Sequence, residues 1–197
     1  MSWKDHVKKY EYRLHAAEVL GSLENITVLY AYADKARLKP GSYVDDVDRF
    51  YTYVAGKMYT SIVWAVAYGY SDPAEAIIRF GHVRGHNHAA TNAYLRNDIP
   101  RTKKKFPTEV VKSIRWVSAD QYLESQAADL YGGFLKAALW PTPQRWGPGR
   151  PQWDFLKTIW HQVRRDPDGK ATPLGLFAMP DKEAFTSAAG FCLPDCR

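Results

Sequence analysis

The chain has 197 residues, 46% hydrophobic and 14% aromatic, which is too apolar for a disordered tail and long enough for one sizeable core or a core with an appendage. A formal net charge of +6 favours an acidic partner such as nucleic acid or an anionic membrane surface. The two cysteines, Cys192 and Cys196, exclude a disulfide framework, and a lone Cys-x3-Cys is a poor zinc site without further ligands. The positive charge is unevenly placed: residues 1–115 hold 18 Lys/Arg against 12 Asp/Glu, whereas residues 116–197 hold 9 against 9. Met1–Leu20 is charged throughout and the longest apolar run, Ser61–Ala67, is far shorter than the ~20 residues of a membrane span, so neither a cleaved signal nor a bilayer crossing is expected.

Residues 2–20 read as an amphipathic helix, with Trp3, Val7, Tyr10, Leu14 and Ala17 at three- and four-residue steps and Lys4, Lys8, Lys9 and Arg13 on the flanks. Two readings stand side by side: a solvated helix, or a basic arm along a polyanion. Gly21–Ser22 ends it. A second helix is expected over Leu23–Leu38, closing on Lys35, Arg37 and Lys39, where cations meet the helix dipole or bind phosphate. A third fits Tyr43–Tyr68, with Asp45, Asp46 and Asp48 at its start.

The stretch Tyr68–Leu95 predicts a fourth helix over 73–96. Asp72, Pro73 and Glu75 form a capping-box start, and Pro100 forms the stop. Its apolar side carries Ala74, Ile77, Ile78, Gly81 and Gly85, the glycines one turn apart for close backbone approach. Arg79, His82, Arg84 and His86 gather on the other side. His82 and His86 at i,i+4 are spaced for a metal, but His88 lies round the helix and no carboxylate follows Glu75, so no metal and no cofactor are expected. A basic loop, Arg101–Pro107, leads to a fifth helix from Thr108 that runs towards Trp140, with Gly132–Gly133 placed to bend or split it.

After Trp140 the texture changes. Prolines and glycines crowd residues 141–152, and Trp140, Trp146, Trp153 and Trp160 recur at six or seven residues. The tryptophans suit packing on the bundle, anchoring onto a neighbouring copy, or a headgroup interface. A short helix around Trp153–Val163 and a last one at Lys182–Ala189 complete the chain. The expected organisation is a basic helical arm (1–42), a helical core (43–140) and an irregular Trp/Pro-rich C-terminal extension (141–197). No phosphate loop, dinucleotide fingerprint, zinc-protease motif or nucleophile elbow is present in the sequence, so no catalytic residue is named.

The string Tyr68-Gly69-Tyr70-Ser71-Asp72-Pro73 through Ala76, Ile77, Phe80 and Gly81 resembles a segment of the major coat proteins of filamentous archaeal viruses, the rudiviruses and lipothrixviruses. The clear likeness covers about residues 45–115, and the C-terminal extension fits the longer lipothrixvirus type better. The resemblance implies an all-α fold: a four-helix bundle preceded by an N-terminal arm that wraps linear double-stranded DNA in A-form. It implies a non-enzymatic virion protein. Its partners would be a second coat subunit (identical or paralogous), neighbouring subunits in a helical nucleocapsid, and a lipid envelope. By position it places Lys4, Lys8, Lys9 and Arg13 against phosphate, with Lys35, Arg37, Lys39, Arg79 and Arg84 as further contacts. Two competing readings are a dimeric helical DNA-binding regulator that recognises defined sites, and a metal-dependent enzyme built on the histidines.

Overall fold

The structure, a computed structural model, describes residues 7–41, 45–72, 74–118, 120–140 and 152–181. Lys4, Trp146, Cys192, Cys196 and the helix expected at Lys182–Ala189 lie outside the described residues. The chain divides into two compact units, one of residues 1–32 with 119–197 and one of residues 33–118. The expected all-α four-helix bundle is overturned, because two short sheets interrupt the helices.

In the first unit, helix α1 (Tyr10–Gly21) is built into the core and does not stand off as an arm. It packs on α6 (Trp153–Ile159) and α5 (Leu123–Leu139), and Ala17 and Leu20 are buried. Strand β1 (Tyr30–Ala33) pairs with β4 (Leu176–Met179), which replaces the helix expected over 23–38. Asn25, with φ +60°, sits in the turn between α1 and β1, and the YAYA run of β1 buries alternate residues as a strand does. Gly132 and Gly133 do not split α5, which runs unbroken through both.

The C-terminal residues are part of this core. Phe155, Leu156 and Ile159 are fully buried, each worth roughly 1.5–3 kcal/mol relative to exposure. Gln162 ties the layers together: its amide donates to the Leu20 and Leu23 carbonyls at 2.8 and 3.0 Å, and its oxygen accepts from the Tyr131 hydroxyl at 2.8 Å.

In the second unit, α2 (Val47–Tyr68) begins where Asp46 accepts a hydrogen bond from the Arg49 amide at 3.0 Å, close to the expected helix. The fourth helix is not formed as read. Residues Ala76–Gly81 are strand β2, paired in parallel with β3 (Val111–Val117), where the fifth helix was expected to begin. Ala76 and Ile78 are buried while Ile77 and Arg79 are exposed, the two-residue period of a half-buried strand. Residues four apart share a face in both helix and strand, so Ala74 with Ile78 satisfies either pattern. Two adjacent isoleucines and a phenylalanine tip the balance to a strand.

The helical part starts later, with α3 (His88–Ala93), a wide π turn at Tyr94–Asp98 and α4 (Ile99–Thr102). Pro100 lies inside that last segment. Tyr59, Val63, Leu95, Ile99, Phe106 and Ile114 form the unit's core beneath the ladder.

Candidate nucleic-acid interface

The net charge resides wholly in the second unit. Residues 33–118 hold 14 Lys/Arg against 8 Asp/Glu, a net of +6, and the other unit holds 13 against 13. Within it the β2–β3 register sets Arg79 opposite Arg115 and Ile77 opposite Ser113. Both arginines are exposed, and alternation places them on the side away from buried Ile78 and Ile114. Neighbouring strands lie about 4.8 Å apart, so two guanidiniums share one patch of surface. Two guanidiniums side by side offer forked donors that a phosphate can bridge.

Beyond β2 the chain turns through Gly85, whose φ of +80° demands glycine. Neither Gly81 nor Gly85 faces a close backbone neighbour, so the expected close approach is not what they serve. The turn carries exposed Arg84 and is locked to α2 from beneath. His86 is buried; its Nδ1 lies 2.8 Å from Asp48 Oδ1 and its Nε2 lies 2.8 Å from Thr91 Oγ1. A carboxylate only accepts, so Nδ1 carries a proton and donates it to Asp48. Thr91 in turn meets Thr52 Oγ1 at 2.7 Å. Thr91 is fully buried, which makes this chain of Asp48, His86, Thr91 and Thr52 a clamp on the turn and no nucleophile site.

His88 accepts a 3.3 Å hydrogen bond at Nε2 from the Val83 amide and stacks near Trp116, ring centres 4.3 Å apart. Burial, followed by the neighbouring His82 and His86, lowers its pKa below the ordinary imidazole value. Among the described residues no group of three or more His, Cys, Asp and Glu is arranged to hold a metal ion.

The residues expected to touch phosphate fall into distinct settings. Lys8 and Lys9 are exposed ahead of α1. Arg13 is buried at 6% exposure, its Nε donating to the Val7 carbonyl at 2.8 Å, with burial drawing its pKa down to about 10. It presents little of its guanidinium to a polyanion. Lys35, Arg37 and Lys39 are exposed at a short 3₁₀ turn capped by Asp34, and the Lys35 ammonium sits 4.7 Å over the Phe50 ring. Arg79 and Arg84 belong to the ladder and its turn.

Arg115, the partner of Arg79, is absent from the sequence-based set, because its region reads as helix and the register is a tertiary fact. Glu75, expected as a helix cap, instead accepts from Lys112 Nζ at 2.7 Å. Compared with known proteins, the chain matches no protein-family model, no curated protein and no solved structure.

Proposed function

We propose that residues 33–118 form a binding unit for the phosphate backbone of nucleic acid, without base readout. The observation that carries this is the exposed Arg79–Arg115 pair in the unit that holds the whole net charge. Arginine forks match phosphate oxygens, and contacts of this kind give sequence-independent, salt-dependent affinity. Arg84 on the clamped turn and the Lys35–Lys39 turn supply further cations in the same unit.

The resemblance at Tyr68–Gly81 extends the proposal to its assembly: a structural protein that coats linear double-stranded DNA, pairs with a second coat subunit and stacks into a filament. The parallel ladder replaces the bundle that the resemblance implied, so this extension leans on the sequence frame and on charge. The test is binding of arbitrary-sequence DNA to the full chain at low and moderate salt, with electron microscopy of the same mixture on long duplex DNA. Tight, salt-sensitive binding supports the reading and a regular filament supports the assembly. No binding at low salt overturns both.

A further inference from the structure

The outer side of α1, in the first unit, is apolar where a solvated helix would be polar. Tyr12 is 57% exposed and Val19, two turns on along the same side, is 49% exposed. Leu23 and Ile26, beyond the helix end, are exposed as well. Between α1 and α5 lies a groove of about 390 Å³, lined by these two rim residues, by half-buried Ala16 and by buried Val7, Leu20 and Leu130. Single exposed apolar residues are normal, but a patch gathered round a groove marks an interaction site.

Charge narrows the choice of occupant. The first unit holds 13 Lys/Arg against 13 Asp/Glu, so its net charge neither selects a polyanion or an anionic bilayer nor repels another copy of itself. Along the apolar stripe the charges are sorted by sign. Lys8 and Lys9 are exposed at its start and Glu18 and Glu24 at its end, with Glu11 in the first turn the exception. Such a stripe is complementary to itself when turned end for end, which is the relation a two-fold axis imposes. With the axis at Ala16, Lys8 of one copy lies opposite Glu24 of the other, and Tyr12 lies opposite Leu20 in the other groove. A small residue at the crossing point suits close packing, because the side chains at the contact set the distance between helix axes.

We infer that this face of α1 is an interface between two copies of the chain, packed antiparallel about a two-fold axis, with Tyr12 of each copy seated in the groove of the other. The inference gives a surface to the subunit pairing proposed above, yet it stands on the first unit's own residues and not on the phosphate contacts of the second.

The test is sedimentation of the full chain without nucleic acid, over a range of concentrations at moderate salt. The wild type is expected to dimerise. Tyr12→Ala with Val19→Ser should raise the dimer dissociation constant about tenfold or more, as expected for a large aromatic side chain anchored in a partner's groove. Both side chains are exposed, so a circular dichroism spectrum matching the wild type verifies the fold. Charge reversal reads the arrangement. Lys8→Glu with Lys9→Glu, and separately Glu18→Lys with Glu24→Lys, should each weaken self-association, and mixing the two variants should restore a dimer. A wild type that is monomeric at every concentration overturns the inference, and so does a dimer indifferent to Tyr12 and Val19. A mixture of the charge variants that fails to associate overturns the antiparallel arrangement. None of these results bears on phosphate binding, which DNA titration reads separately.

Discussion

Arg79 and Arg115 are register partners across the β2–β3 ladder, and both are exposed. Arg115→Glu is therefore expected to stabilise the free protein by up to ~1 kcal/mol, through a cross-strand attraction in place of a repulsion. The same change should abolish DNA binding at moderate salt. Chemical denaturation and a binding titration on one preparation read both effects. A variant that loses stability and keeps its affinity would show that the pair has no anion-binding role.

The clamp under the Gly85 turn yields a second prediction. Thr91→Val keeps the shape of a fully buried side chain but removes the hydroxyl that joins His86 to Thr52. Leaving a buried acceptor and donor unsatisfied costs about 1–3 kcal/mol. The urea midpoint should fall accordingly, and amide exchange in the turn around Arg84 should quicken. An unchanged midpoint would mean the chain is dispensable.

His88 ties the turn to solution pH. Its Nε2 accepts from the Val83 amide, and a protonated ring has no lone pair to do so. Burial holds the folded-state pKa below the unfolded value of ~6.5, so this stabilisation is complete above about pH 6.5 and is lost as pH falls through the lowered folded pKa. Stability of the wild type should therefore drop on acidification below about pH 6.5, with a shallower drop in His88→Gln, which retains an acceptor without titrating. Identical pH profiles for the two proteins would remove His88 from the account.

Arg13 and its neighbours separate stability from surface charge. The Arg13 side chain is buried and donates to Val7, whereas Lys8 and Lys9 are exposed. Arg13→Ala is expected to cost about 1–3 kcal/mol through lost packing and a buried carbonyl without its donor. Lys8→Ala and Lys9→Ala should each change stability by less than about 0.5 kcal/mol. Thermal unfolding of the three variants distinguishes them.

The sequence showed the helices with long, uninterrupted apolar stripes. Val47–Tyr68 lies close to where its periodicity places it; α1 begins only at Tyr10, later than the helix expected over 2–20, with Ala17 buried as read and Val7 buried ahead of it. It misled where a six- or seven-residue strand carries too few positions to separate a period of 2 from one of 3.6, as at Ala76–Gly81 and Val111–Val117. The Asp72–Glu75 signature then supplied a helix start for a segment that is extended. Arg79 and Arg84 were grouped on the face of a helix that is not formed; the structure puts the first on β2 and the second on the turn after it. Arg115 was not legible, because its pairing depends on which residue lies opposite in a parallel register. The turn's clamp was equally hidden: Asp48 is 38 residues from His86, and its position near a helix start gave a sufficient local reason for its charge.

The most direct test of the account is the salt dependence of DNA binding by the full chain and by Arg79→Ala with Arg115→Ala. Each phosphate contact contributes about 0.9 to the slope of log affinity against log salt on duplex DNA, so the double variant should bind more weakly at low salt with a slope shallower by ~1.8. Equal affinities and equal slopes for the two proteins would contradict the claim that this arginine pair holds the phosphate backbone.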